Sequence, residues 1–379
     1  MQLSVIILNY NVRYHLELCL RSVFKATQNL EAEIIVIDNA SSDDSMAMVA
    51  ERFSGVKRIQ NTENVGFAKA NNQAFREASG EFICILNPDT ILPEDCFTNL
   101  ITFAEAKKSC GAIGVKMLDG TGGFLEESKR NVPTPKVAFA KLFGNGRSYY
   151  AATNKDENAA VPVLAGAFML MPKAVYQAAN GFDERYFMYG EDIDLCYTIS
   201  QLGFTNYYAG KVGIIHFKGE STVRDAKYYK RFYGAMQLFY AKHFKSNIIL
   251  DATANFAIFL AQRRKLKSSK TNLATDAPKV FCLLSSDQNL FKSLKTQWQA
   301  TGKRVDAPEV LSELIKENTQ LNTVIFDLAH ISHKDSIVTI EKLRNLGLEF
   351  YFRPEGCNFM VGSAAPDKNG KVISWQEVN

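Results

Sequence analysis

An α/β protein built on a parallel sheet, followed by a smaller α/β unit, is what three features of this 379-residue chain predict. Short, wholly apolar runs alternate with segments of helical periodicity over the first ninety residues. Each of those runs ends in polar side chains. Composition shifts after a basic, turn-rich stretch near residue 270, and the alternation then begins again. A hydrophobic content of 46% and a charged content of 22% suit a chain with a substantial core.

The elements follow in order. "LSVIIL" (3–8) is apolar on both faces, as a strand covered by helices on each side must be. "VRYHLELCLRSVFKAT" (12–27) repeats apolar residues at Leu16, Leu20, Val23 and Phe24, which predicts a helix. "AEIIVIDN" (32–39) is a second strand, and 41–53 a helix opened by capping residues. A helix over 65–79 and a strand over 81–89 complete the first set. Such alternation implies parallel strands joined by right-handed crossovers, with ligands held beyond the carboxyl ends. Asn9, Asp38, Asn39, Asn87 and Asp89 stand at those ends.

Residues 119–160 are rich in turn formers and read as a long irregular excursion of the kind that shapes binding sites. Strand character returns over 161–172, then a helix ends at Gly181. The acidic triplet of "YGEDIDL" (189–195) precedes a helix ending at Gly203, and 205–219 read as strand, turn, strand. An amphipathic helix covers 225–244. From 279 the pattern is strand, helix, strand, helix, strand, helix to Gly347, strand.

The net charge of +4 does not argue for nucleic acid, and none is expected as a partner. Charge is concentrated instead: residues 221–270 carry eleven Lys/Arg against two acids, Asp225 and Asp251. That segment reads either as a solvated helix face or as a dock for an anionic membrane, with the apolar stretch 248–261 in the interface. Seven scattered cysteines without a C-x-x-C pair read as buried thiols in a reducing compartment. "MQLSVIILNYN" has the character of a strand rather than a signal peptide. No dinucleotide fingerprint, P-loop or nucleophile elbow is present. "HISH" (330–333) reads as a surface helix start rather than a metal site.

The acidic and amide groups at the strand ends remain. Asp38 can accept hydrogen bonds from a base or a ribose, or cap the following helix, a task Ser41 can also perform. In an extended "NPD", Asn87 and Asp89 face one side, toward a sugar hydroxyl and a divalent cation. A plain Asn-Pro-Asp turn explains the tripeptide equally well.

In order, "SVIILNYN", "IIVIDNASSDDS", "NTENVGFAKANNQA", "ICILNPDT", "GAFMLMPKAVYQAANGFDERYFMYGEDIDLCYTISQLGF" and "HFKGEST" resemble family 2 glycosyltransferases, in particular their rhamnosyltransferase-like bacterial branch. The resemblance covers about residues 1–245. It implies a GT-A domain (the Rossmann-like nucleotide-diphospho-sugar transferase fold), here joined by a helical connector to a small C-terminal α/β domain. The expected boundaries are 1–222, 223–275 and 276–379.

The resemblance also implies an inverting hexosyltransferase. It would move a sugar, rhamnose by the branch, from a nucleotide-diphosphate donor to a saccharide or lipid-linked acceptor in cell-surface polysaccharide synthesis. The expected location is cytoplasmic, peripheral on the inner face of the membrane. It places Asp192 as catalytic base and Glu191 beside it, orienting the acceptor or its neighbour. Asn9, Asp38, Asn39, Asn64, Gly66, Lys69, Asn71 and Asn87 would line the nucleotide pocket. Asp89 would hold Mg²⁺ or Mn²⁺ with His216, a residue that reads equally as a buried, hydrogen-bonded histidine at a strand end. Asp194 is left with helix capping and the dipole. Asn87 departs from the family's Asp-x-Asp, which removes one carboxylate from the cation site while keeping an acceptor for the ribose. Two other classes stand beside this one: a nucleotidyltransferase, whose N-terminal glycines are missing here, and a non-catalytic nucleotide-sugar-binding module.

Overall fold

The computed structural model describes residues 1–134, 137, 147–218, 226–244, 280–317, 320–363 and 370–375. Its N-terminal part runs β1 (Leu3–Asn9), α1 (Arg13–Thr27), β2 (Ala32–Asp38), α2 (Ser45–Arg52), β3 (Lys57–Gln60), α3 (Phe67–Phe75), β4 (Phe82–Leu86), β5 (Thr90–Ile91), α4 (Cys96–Glu105) and β6 (Cys110–Leu118). The excursion holds β7 (Lys129–Arg130) and β8 (Asn158–Ala160). Then come β9 (Val163–Leu164), β10 (Phe168–Pro172), α5 (Lys173–Ala178), α6 (Glu191–Gln201), β11 (Thr205–His216) and α7 (Ala226–His243).

These strands form one nine-stranded sheet in the order β3-β2-β1-β4-β10-β6-β11-β5, with β8 on β11; β7 and β9 pair separately. β1 lies parallel to β2 and β4, as the apolar runs predict. β10 is antiparallel to both β4 and β6, so the sheet is mixed. The reason is the excursion: the chain leaves β6 at the carboxyl edge, returns through β8 antiparallel to β11, and enters β10 from the carboxyl edge again. The turn 165–167 is thereby laid beside the end of β4. It splits the expected strand 161–172 in two.

A second departure is β11, one twelve-residue strand with a register shift between Ala209 and Gly213 rather than a strand-turn-strand. Gly210, which suggests a turn in the sequence, instead admits the segment beside β8: a Cβ there would lie 2.5 Å from the Glu157 carbonyl oxygen. All seven cysteines are buried and unpaired. The segment 248–261 and the basic run 263–270 lie outside the described residues, as does most of the expected connector.

The C-terminal unit contains β12 (Val280–Leu284), α8 (Gln288–Trp298), β13 (Thr301–Val305), α9 (Leu311–Glu317), β14 (Thr323–Asp327), α10 (His333–Leu343), β15 (Glu349–Arg353), β16 (Phe359–Ser363) and β17 (Lys371–Ser374). Its sheet is ordered β13-β12-β14-β15-β16-β17. The "HISH" motif does start a helix, with Ser332 capping the Asp335 amide. His333, however, is buried against Glu94 of the N-terminal domain rather than on the surface, its Nδ1 2.9 Å from that carboxylate.

The two units share a core. Leu18, Ile91, Leu118, Ile215 and Phe217 pack with Phe326, Phe352 and Val361. Tyr14 meets Phe359 with ring centroids 4.8 Å apart. Glu17, fully buried, accepts from Arg21 at 3.0 Å and Arg52 at 2.7 Å. Gly122, at φ +83°, sits beneath α10, where a Cβ would lie 2.3 Å from the Ile340 carbonyl oxygen. Gly347 has φ +68° but open space around it. Gly347→Ala should therefore cost only the left-handed strain, about 1 kcal/mol, while Gly122→Ala should cost about 3 kcal/mol or more because a buried backbone must also move. Urea unfolding of the two variants checks the difference.

Candidate active site

The carboxyl ends of β1, β2 and β4 converge as expected. Asn9 donates through Nδ2 to Asp38 Oδ1 (2.7 Å) and Ser41 Oγ (3.0 Å). Asp38 also accepts from the Ser41 amide at 2.9 Å and its hydroxyl at 2.5 Å. Asp38 thus organises the loop after β2 and, with Asn9, is fully buried. Asn39 ties this loop to the next: its Nδ2 donates to Asn64 Oδ1 and the Gly66 carbonyl, both at 3.2 Å. Asn64 accepts from the Gly66 amide at 3.0 Å. Lys69 is exposed on the first turn of α3. Asn71 is buried and its amide folds back on the Phe67 carbonyl at 2.9 Å, inside α3 rather than across the loops.

Phe187, two residues before "YGED", accepts from the Phe67 amide at 2.7 Å. Gly66 makes room for this approach, because a Cβ there would lie 2.6 Å from that same carbonyl oxygen. The loop before α6 is therefore fastened to the loop before α3.

Asn87 Nδ2 lies 3.5 Å from His216 Nε2. His216 Nε2 lies 3.4 Å from Asp89 Oδ1. Both Asp89 and His216 are buried, and Asp89 Oδ1 and His216 Nδ1 have no hydrogen-bond partner. Burial opposes ionisation of Asp89, yet the facing His216 holds its carboxyl below the usual range. The residues singled out as cation ligands thus face one another.

Asp192 lies in the first turn of α6, whose N-cap is Gly190. Its Oδ2 accepts from Arg130 Nη2 at 2.5 Å and from the Gly166 amide at 3.0 Å; its Oδ1 accepts from the Ile193 amide at 2.8 Å. Arg130 also donates to the Leu164 carbonyl at 2.6 Å. Burial works against the charge on Arg130, but Asp192 and Tyr149 raise its pKa above the ordinary value. Neighbouring Glu191 is buried, and its Oε2 has no partner. Burial, and then the charge of Asp192, push its carboxyl up to about 8.

One short turn joins the two centres. Ala167 accepts from the Asn87 amide at 2.9 Å, while adjacent Gly166 donates to Asp192. Residues a hundred positions apart in sequence are held across a single peptide. Arg130 and Gly166 carried no sequence signal as site residues; Arg130 sits within the turn-rich excursion, 62 residues from its partner. Asp194 differs from its reading as a helix cap. It is buried and bound by Lys242 and His243 of α7, each at 2.7 Å, and so fastens α7 to α6.

Among the described residues no helix is long and apolar enough to cross a membrane, and no group of three or more His, Cys, Asp or Glu is poised around a cation.

Known proteins fit this geometry. A sequence model described as "Glycosyl transferase family 2" matches residues 4–178. An N-acetylglucosaminyl-diphospho-decaprenol L-rhamnosyltransferase of Mycobacterium tuberculosis is 25% identical over 241 residues, covering 59% of this chain and 78% of that protein. Rhamnosyltransferase WbbL of Escherichia coli is 29% identical over 208 residues, 51% and 77% of the two chains. GalNAc-T7, crystallised with UDP, GalNAc and Mn²⁺, aligns over 84% of this chain and 57% of its own with a TM-score of 0.50 at 15% identity, a likeness of fold. Residues 4–178 thus match glycosyltransferase family 2, the chain is similar to rhamnosyltransferases, and it is a glycosyltransferase whose N-terminal domain has the GT-A fold.

Proposed function

We propose that the protein is an inverting glycosyltransferase that passes a sugar, rhamnose by its relatives' names, from a nucleotide-diphosphate donor to a hydroxyl of a saccharide or lipid-linked acceptor. The observation that carries this reading is the turn 165–167, which sets the end of β4 and the Asp192 carboxylate on either side of one peptide. Inversion needs a leaving group and a base on opposite faces of the sugar ring.

Each residue then has a task. The loops held by Asn9, Asp38, Asn39, Asn64 and Gly66 form the floor for the nucleotide, with Lys69 and Asn71 on the helix that follows. Asn87 offers its amide to a ribose hydroxyl. Asp192 keeps Oδ2 on Arg130 and Gly166, which leaves a lone pair of Oδ1 for the acceptor proton. Arg130 and the Gly166 amide fix the direction of this carboxylate. Glu191 alongside is a carboxyl that burial and the charge of Asp192 keep protonated near neutrality.

The donors of Asp89 and His216 fit Mg²⁺ or Mn²⁺, since such ions commonly take one or two protein carboxylates together with substrate phosphates. A bound cation would offset the charge gathering on the departing diphosphate. Exposed Lys230 and Arg231 on α7 support a position at the anionic, cytoplasmic face of a membrane.

Asp192→Asn should lower transfer to an N-acetylglucosaminyl-diphospho-lipid by about 10²–10⁴-fold, with little change in the thermal shift given by a panel of nucleotide-diphosphate sugars. Substantial remaining transfer would remove Asp192 from the role of base. Asp89→Asn should erase the Mn²⁺-dependent part of the thermal shift seen with a nucleoside diphosphate. An undiminished Mn²⁺ response would place the cation elsewhere.

Glu191 adds a dependence on pH. Between its ordinary value of 4.5 and about 8 the folded chain holds a proton that the unfolded chain releases, so stability falls as pH rises through that window. Glu191→Gln keeps the shape and removes the ionisation. Its melting temperature should exceed that of the natural protein at pH 9 by a few degrees, and the two should converge toward pH 5. Parallel curves would show that Glu191 titrates as it does in water.

A further inference from the structure

We propose that the C-terminal unit braces the acceptor side of the catalytic cleft, with Glu341 of α10 as the positioning residue. The inference rests on the reading of that cleft as the transfer site, and it assigns the C-terminal unit a role.

The excursion between β6 and β9 supplies Arg130, and both of its ends are seated on α10 by consecutive residues. The outgoing end is the turn 119–123. Asp119 Oδ1 accepts from the Thr121 amide (2.8 Å), the Thr121 hydroxyl (2.7 Å) and the Gly123 amide (3.0 Å), which fixes its shape. Gly122 rests under the Ile340 carbonyl, and a Cβ at Gly120 would lie 2.6 Å from Ser363 Cβ of β16. A side chain is excluded at Gly122 by the backbone of α10 and at Gly120 by the side chains of Ser363 and Phe217.

The returning end is held by charge. Glu341 takes Lys116 of β6 at 2.8 Å and also pairs with Lys155; Lys116 reaches Asp156 at 2.8 Å. The Lys116 and Glu341 side chains are only 12% and 18% exposed, so this network is better shielded than a surface pair. Burial works against Glu341, but the two lysines hold its carboxyl below the usual range. Tyr208 of β11 donates to the Lys155 carbonyl at 2.6 Å and adds a neutral anchor.

The two limbs are joined to each other close to the chemistry. The Asn131 amide donates to Tyr149, and the Ala151 amide to Lys129, at 2.9 and 3.2 Å. Lys129 Nζ donates to the Ala151 carbonyl at 2.7 Å. A displacement at Lys155 therefore reaches Lys129 and Arg130 within a few residues, and Arg130 holds Oδ2 of Asp192. The same limb carries Glu127, which pairs with Lys218, two residues beyond His216. The excursion thus touches both centres, and α10 holds it at each end.

The test uses the full-length chain and two readouts. In Glu341→Ala, amide hydrogen exchange should quicken over 126–132 and 147–157 while β1 and β4 keep their protection. Transfer to an N-acetylglucosaminyl-diphospho-lipid should fall about tenfold or more in kcat/KM, with affinity for the nucleotide-diphosphate sugar unchanged within about twofold. Glu341→Asp, which keeps a carboxylate for Lys116 and Lys155, should lose less of both than Glu341→Ala. Unchanged exchange over these segments, or quickened exchange with transfer at the natural rate, overturns the brace. Equal losses in donor affinity and in transfer would also overturn it, since that marks general unfolding. If the natural protein itself transfers nothing, the reading of the cleft fails, and hydrogen exchange still decides whether α10 holds the excursion.

Discussion

The ion pair between Arg130 and Asp192 is the contact on which the cleft depends. Both groups are largely removed from water, and neither charge is tolerable there alone: breaking a buried pair typically costs about 3–5 kcal/mol. Arg130 belongs to β7, its second bond goes to β9, and Asp192 begins α6. One guanidinium therefore fixes three elements around the Asp192 carboxylate. The Gly166 amide completes the set and extends it to the end of β4.

Neighbouring acids with unlike surroundings explain how a cluster of negative charge sits against a core. Asp192 has a guanidinium and a helix N-terminus, Asp194 has Lys242 and His243, and Glu191 takes up a proton instead. The cluster need not bear three charges. Stability is nevertheless spent here. Asn9 Oδ1, Asp89 Oδ1, His216 Nδ1 and Glu191 Oε2 are buried without hydrogen-bond partners, and each such atom typically forfeits about 1–3 kcal/mol. Their grouping along one edge of the sheet is what a surface shaped for a polar ligand would show.

The sequence disclosed what depends on local periodicity. β1, β2 and β4 are buried on both faces, so each reads as an unbroken apolar run whose polar ending marks the functional edge. Asp89 and Asp192 stood out through the short motifs around them, and the structure sets the first against His216 and the second against Arg130. Arg130 did not stand out, because its meaning comes from a partner 62 residues away and its own segment looks like loop. β11 was misread for a related reason: Gly210 serves the approach of the segment around Glu157, and sequence cannot distinguish that from a turn. Asp194 read as a helix-capping and dipole residue, and His333 as part of a surface helix start. Each is buried by a contact with a distant element, Asp194 with α7 and His333 with Glu94.

Alternation along the end of β11 links the Asp89–His216 side of the cleft to the C-terminal unit as well. His216 turns toward Asp89, whereas Phe217 is buried in the shared core, 6.0 Å from the ring of Phe352 and 5.4 Å from that of His15. The Phe217 amide donates to the Asp89 carbonyl at 3.0 Å, so this one residue fixes both the backbone of the carboxylate and the direction of the imidazole. The C-terminal unit thus backs the cleft twice, through Phe352 behind His216 and through Glu341 behind Arg130. A cleft whose two chemical groups hang from separate loops gains a fixed spacing only if both loops rest on one rigid body. In this chain the carboxyl edge of the large sheet supplies the groups, and the small sheet with α10 supplies the rest.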